Sequence, residues 1–188
     1  DYSQNKTDSK DPMVIAKLLP EGRFREIYFP EGDYAECRNA DFLKTQIIKR
    51  IVMTRNSINR WLSIHFPEYM IVYKQVTARS GLLVLKTAPF PDEIAALGAE
   101  GINQIFRDNK VRAVGMKKAQ ALYDAAKSSI GTVQGREAER MYINYLISDL
   151  EKNLACLDQV MVRLNEICDR LPEAKYLLTV PGVGVGTV

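Results

Sequence analysis

Histidine is almost missing from this chain, and the one present, His65, sits between Ile64 and Phe66. That setting predicts a structural imidazole rather than a catalytic or metal-binding one. Cysteine is scarce and odd in number: Cys37, Cys156 and Cys168 stand far apart with no CxxC spacing. Neither a disulfide framework nor a zinc-ligand pattern follows, and reduced core thiols of a cytoplasmic protein are expected. No apolar run approaches the length of a membrane span, so no membrane partner is expected. The first residues, Asp1-Tyr2-Ser3-Gln4-Asn5-Lys6, are polar and resemble no secretory leader; they also lack a methionine, and a fragment is expected. Strong charge of one sign is lacking as well. A net charge of +3 permits a nucleic-acid partner without arguing for one.

What is present is a folded composition. Apolar residues make up 46% and charged residues 26% of 188, enough to build a core without covalent staples. Near the start, Lys6-Thr7-Asp8-Ser9-Lys10-Asp11-Pro12 leads into the apolar run from Met13 to Leu19. Residues three apart share a helix face, so Asp8 and Asp11 can present two carboxylates to a hard cation such as Mg²⁺. The same residues also read as a helix cap, with Asp11 before a proline at the first helical position and Asp8 favouring the dipole. Two Pro-Glu-Gly triplets, at 20–22 and 30–32, then punctuate a loop, with Phe24, Ile27, Tyr28 and Phe29 between them set to pack on a neighbouring domain.

A long helix is predicted from about Tyr34 to Phe66, with Leu43, Ile47, Ile51, Ile58 and Leu62 at helical spacing. Its cations, Lys49, Arg50 and Arg55 among them, are either a solvated face or a stripe tracking phosphates. Residues 81–133 read as short helices, one opening at Pro91-Asp92-Glu93. Val114-Gly115-Met116-Lys117-Lys118-Ala119 resembles half of a helix-hairpin-helix, or else a plain helix with exposed lysines. From about Gln134 to Leu171 the apolar residues Ile143, Ile147, Leu150, Leu154, Leu157, Met161, Leu164, Cys168 and Leu171 alternate by four and three. That is a coiled-coil seam. Its partner is the earlier long helix, a second subunit, or both. The chain then reaches Leu177-Leu178-Thr179-Val180-Pro181-Gly182-Val183-Gly184-Val185-Gly186-Thr187. That reads as the start of a helix-hairpin-helix, in which glycines without a Cβ allow a tight turn and close phosphate approach at the start of a second helix, or else as an ordinary loop.

The Lys6–Leu19 stretch resembles the K-T/N-D-x-x-D-A signature of the DEDD insertion-sequence transposases, recombinases with an RNase H-like (RuvC-like) domain related to the pilin-gene invertases. The phrase Leu177–Gly184 is similar to the opening of their C-terminal transposase domain, and a long helical segment separates the two in both. The resemblance implies a mainly α fold of long helices in a coiled coil or bundle, preceded by the last helix of an RNase H-like domain. It implies residues 1–33 as the end of that catalytic domain, 34–80 as a long basic helix and turn, 81–133 as a short-helix subdomain, 134–172 as the coiled coil and 173–188 as the start of the transposase domain. Asp8 and Asp11 would be the last two of four acidic Mg²⁺ ligands; the other acids and a nucleophilic serine would lie outside this chain. Neither Ser128 nor Ser129 sits in that serine's motif. DNA, an element-encoded guide RNA and a second copy bound through the coiled coil are the implied partners, in a bacterial cytoplasm and nucleoid. Gly182, Gly184, Gly186, Thr187, Lys49, Arg50 and Arg55 are the DNA-binding candidates. Pro12 departs from the family's alanine and is expected to push Asp11 out of the helix. A non-enzymatic helical DNA-binding or scaffold protein is the alternative.

Overall fold

A computed structural model describes residues 10–22, 28–112, 114–132 and 134–184. Among them there is no strand, and eight helices follow in order. They are α1 (Lys10–Leu18), α2 (Gly32–His65), α3 (Tyr69–Val72), α4 (Arg79–Thr87), α5 (Pro91–Asp108), α6 (Met116–Lys127), α7 (Arg136–Arg170) and α8 (Pro172–Leu177). The fold is mainly α, organised by its two long helices.

The seam of α7 finds its partner inside the chain. Arg170 meets Asp33, Arg163 meets Glu36, Asp149 accepts from Thr54 at 2.8 Å, and Glu139 lies 3.3 Å from His65. As α2 ascends, α7 descends, so the two form an antiparallel hairpin. Ile143, Ile147, Leu150, Leu164 and Cys168 are buried along it, opposite Ile47, Ile51 and Ile58 of α2. Leu154, Leu157 and Met161 are half-buried, so the middle of the seam is only partly covered.

One end of the hairpin carries a head. Helices α3 to α6 surround the last turns of α2 and the first of α7. Trp61, Leu62, Phe66, Tyr69, Phe90, Ile94, Ile102, Phe106 and Leu122 are all within 2% of full burial there. Aromatic rings pack in a chain, Tyr69 on Tyr73 at 5.0 Å and Trp61 beside Phe90 at 5.7 Å, favourable offset and tilted geometries. Pro91 opens α5, as its fixed φ and missing N–H suit a first turn. α5 is bent at Gly98, whose φ of 67° interrupts the helix. Arg136 of α7 grips both carboxylate oxygens of Asp92 and one of Glu93 at 2.8 Å, and Arg140 also bonds Glu93. Burial raises the Glu93 carboxyl, but the bonds from Arg140 and Arg136 outweigh it and hold the group below its ordinary range.

His65 has the structural role its setting predicts. It is buried, its Nδ1 lies 2.6 Å from the Thr132 carbonyl oxygen and its Nε2 faces Glu139, and the ring stands 4.6 Å from Trp61. The opposite end of the hairpin is a two-helix stalk. Arg170 holds Asp33 through two nitrogens, at 2.7 and 3.0 Å, which lowers the Asp33 carboxyl. Tyr34 donates to Glu173 at 2.8 Å, joining α8 to the start of α2. A small cluster of Ile167, Cys168, Leu171 and Ala174 closes that end against Cys37 and Ala40.

Candidate nucleic-acid interface

The acidic stretch comes first. Asp8 lies outside the described residues, and Asp11 is described in its backbone alone. That backbone differs from expectation: α1 begins at Lys10, so Asp11 is helical although Pro12 follows it. The reason is position. Pro12 falls in the first turn, where amides have no helical partner and the missing N–H costs no bond. The helix presents Met13, Val14 and Ile15 to solvent, and Leu19 follows its last residue, each more than half exposed. Tyr28 and Phe29, just before α2, are exposed to about the same degree or more, at 73% and 72%.

The three cations singled out on α2 do not share a face. Lys49, Arg50 and Arg55 are all exposed, but at about 100° per residue they are splayed around the helix by more than a quarter turn each. Arg50 leans toward Asp149 of α7, at 3.9 Å.

After α8 the chain turns through Leu178–Pro181. Gly182 adopts a φ of 87°, a left-handed backbone that only glycine takes without strain, and the Val183 amide bonds the Val180 carbonyl at 3.1 Å. Gly184 is exposed with nothing within 4 Å of where a Cβ would stand. Gly186 and Thr187 lie outside the described residues. Among the described residues, no three histidine, cysteine, aspartate or glutamate side chains come together as a metal-ligand group.

A third feature lies between α5 and α6. The Val111 amide bonds the Phe106 carbonyl at 2.9 Å and the Lys110 amide bonds Arg107 at 3.0 Å. This is the paired 6→1 and 5→2 bonding of a Schellman motif, with the residue after the cap left-handed. That residue is Lys110, whose φ of 51° is the one positive φ among the described non-glycine residues. The connection then runs to Gly115, where α6 begins with Met116. Beside it opens a groove of about 830 Å³ lined by Val72, Val114, Ala121 and Ala125 together with two cations, Lys117 and Lys118, and two acids, Glu68 and Asp124. Sequence reasoning named Gly115, Lys117 and Lys118 but passed over Arg107, Lys110 and Arg112. The signal was there in the local excess of positive charge.

No family model, curated protein or solved structure matches the chain.

Proposed function

We propose that this chain is the helical portion of a DNA recombinase of the DEDD transposase type. The observation that carries the reading is the hairpin's closure. The stretch bearing Asp8 and Asp11 feeds α2 at the same end where the chain leaves α7 toward the Gly182 turn, and Asp33–Arg170 and Tyr34–Glu173 tie that end. The two segments expected to meet DNA therefore both attach, along the chain, to the clasped end of the hairpin. The exposed apolar side of α1 supports the reading further, since a helix of that kind completes a domain by being covered.

In this reading Asp8 and Asp11 contribute two carboxylates to a Mg²⁺ site whose other acidic ligands lie outside the chain. Bound there, the ion would polarise a phosphodiester as a Lewis acid. The chain's own part is to set the two carboxylates at a helix start and to position DNA with backbone amides and cations. A guide RNA belongs to the same proposal. So does a homodimer, through the outer side of α2, where Phe42, Val52 and Met53 are exposed, since α2 covers much of the α7 seam within the chain.

The test expresses the chain together with its contiguous coding sequence and measures Mg²⁺-dependent strand cleavage of element-end DNA. Asp8→Asn and Asp11→Asn should each abolish cleavage while leaving DNA binding in place. The 188-residue chain alone should not cleave. Metal-dependent nicking by the chain alone, or full activity of Asp8→Asn, would overturn the reading in favour of another nuclease, and no cleavage by the extended protein would overturn it in favour of a non-enzymatic DNA-binding scaffold.

A further inference from the structure

The sequence has two local excesses of positive charge: Lys44–Arg60 on α2, whose cations splay around the helix, and Arg107–Lys118, whose cations fall at one turn. Between Arg107 and Lys118 stand five cations against a single acid, an excess of four, where the whole chain carries +3. The fold gathers all of them at one end of the α5–α6 hairpin. Arg107 is in the last turn of α5, Lys110 and Arg112 are in the connection, and Lys117 and Lys118 are in the first turn of α6. Arg107, Lys110, Arg112 and Lys117 are exposed and enter no ion pair among the described residues. Asp108 does not neutralise them, since it accepts from Gln104 at 2.7 Å. Lys118 is engaged differently. Its Nζ donates to the Val72 carbonyl and lies 4.5 Å over the Tyr73 ring, fastening the start of α6 to the head.

Two further observations point outward from this turn. The first helical bonds of α6 start at the Lys118 and Ala119 amides, so those of Met116 and Lys117 have no helical partner. Gly115, which precedes them, has no atom of the chain within 4 Å of where a Cβ would stand, so its approach is open. The second observation is Lys110 itself. A left-handed lysine occupies the position of a Schellman turn where glycine costs least, and strain retained at one residue is a pointer to use. Between Arg107 and Lys118 there is no aromatic residue. A protein partner is usually anchored by buried aromatics, whereas spread cations with free amides match a run of phosphates.

We propose that the α5–α6 turn grips the sugar–phosphate backbone of duplex DNA, without regard to sequence, through Arg107, Lys110, Arg112, Lys117 and the open amides at the start of α6. This rests on the reading of the chain as DNA-directed, but not on its carboxylate chemistry.

The test measures binding of a random-sequence DNA duplex by fluorescence anisotropy across a salt series, with EDTA present. Four phosphate contacts predict a log K against log salt slope of about −3.6. Replacing Lys110, Arg112 and Lys117 together (K110G/R112A/K117A) should make the slope shallower by about 2.7, equally for different duplex sequences. Lys110→Gly alone should raise the melting temperature while weakening binding, so loss of affinity cannot be loss of fold. Lys127→Ala, on the same helix at its far end, should leave the slope unchanged. The assignment is overturned if the triple variant binds as wild type, if Lys127→Ala weakens binding as much as the turn variants, if duplex RNA is preferred over DNA, or if wild type binds no duplex at low salt. The two readings separate cleanly. Duplex binding that ignores the turn removes this site and leaves the DNA-directed reading, whereas a turn that grips DNA in a protein whose Asp8→Asn variant still cleaves removes the recombinase reading and leaves the site.

Discussion

Gly131→Ala should be among the most damaging single methyl additions to this protein. Residues 130–132 cross the end of α2 so closely that a Cβ on Gly131 would stand 1.9 Å from the His65 carbonyl oxygen, 2.4 Å from its carbon and 3.1 Å from the Phe66 nitrogen. All three are backbone atoms, so no rotamer change relieves the clash, and the segment must move outward by more than an ångström. Three hydrogen bonds hold it where it is: Thr132 amide to Ile64 carbonyl at 3.0 Å, His65 Nδ1 to Thr132 carbonyl at 2.6 Å, and Ile130 amide to Glu68 at 3.1 Å. At about 1 kcal/mol net for each bond, plus a buried imidazole nitrogen left without its acceptor, the loss is about 3–5 kcal/mol. For a chain of this size that lowers the melting temperature by about 6–20 °C. The assay is thermal and urea unfolding by circular dichroism, with hydrogen exchange at the Thr132 amide reporting the local change. Gly115→Ala is the control, since its methyl enters open space, and it should stay within about 0.5 kcal/mol of wild type. A Gly131→Ala melting temperature within about 2 °C of wild type would refute the close crossing.

Other outcomes follow from the same geometry. Lys110→Gly should stabilise the chain by about 0.5–1 kcal/mol, read in urea midpoints at unchanged m-value, because glycine accepts a φ of 51° without a Cβ clash. The lowered Glu93 carboxyl contributes stability that is present above the ordinary glutamate range and is lost as pH falls through its depressed folded value. Glu93→Gln should therefore flatten the acid limb of the stability curve. Cys168 is buried, and burial raises its thiol, so it should react with a thiol reagent more slowly than half-buried Cys37 and Cys156. Light scattering should find a dimer, and a monomer at tens of micromolar would remove the homodimer from the proposal.

Periodicity made the two long helices legible to within two residues at each end, because apolar spacing at 3.6 is dictated by what each helix must bury. Pro91 marked the start of α5 for an equally local reason. The identity of α7's partner was not legible. A heptad seam specifies that something covers it, and the choice of α2 shows only in contacts between residues more than a hundred positions apart, such as Arg163 with Glu36 and Arg170 with Asp33. The aromatic chain through Trp61, Phe90, Tyr69 and Tyr73 was hidden for the same reason. Asp11's place inside α1 was misjudged because the rule that proline expels its predecessor from helix weakens in a first turn. At the α5–α6 turn, Lys117 and Lys118 were visible as neighbours. Arg107, Lys110 and Arg112 join them only when the Schellman turn reverses the chain, and a left-handed lysine leaves no mark in a sequence.

The clasp between Asp33 and Arg170 makes the chain between them an excursion that returns to its starting point, within 2.7 Å between the two side chains. Its length is then independent of everything at its base. Seven residues added to both α2 and α7 would carry the head and its basic turn outward by about 10 Å and keep the seam in phase, whereas seven added to one helix alone would slip it. The stalk is in this sense a ruler graduated in heptads. The distance from the clasp to the basic turn is a dimension that can be reset in whole divisions without redesigning either end.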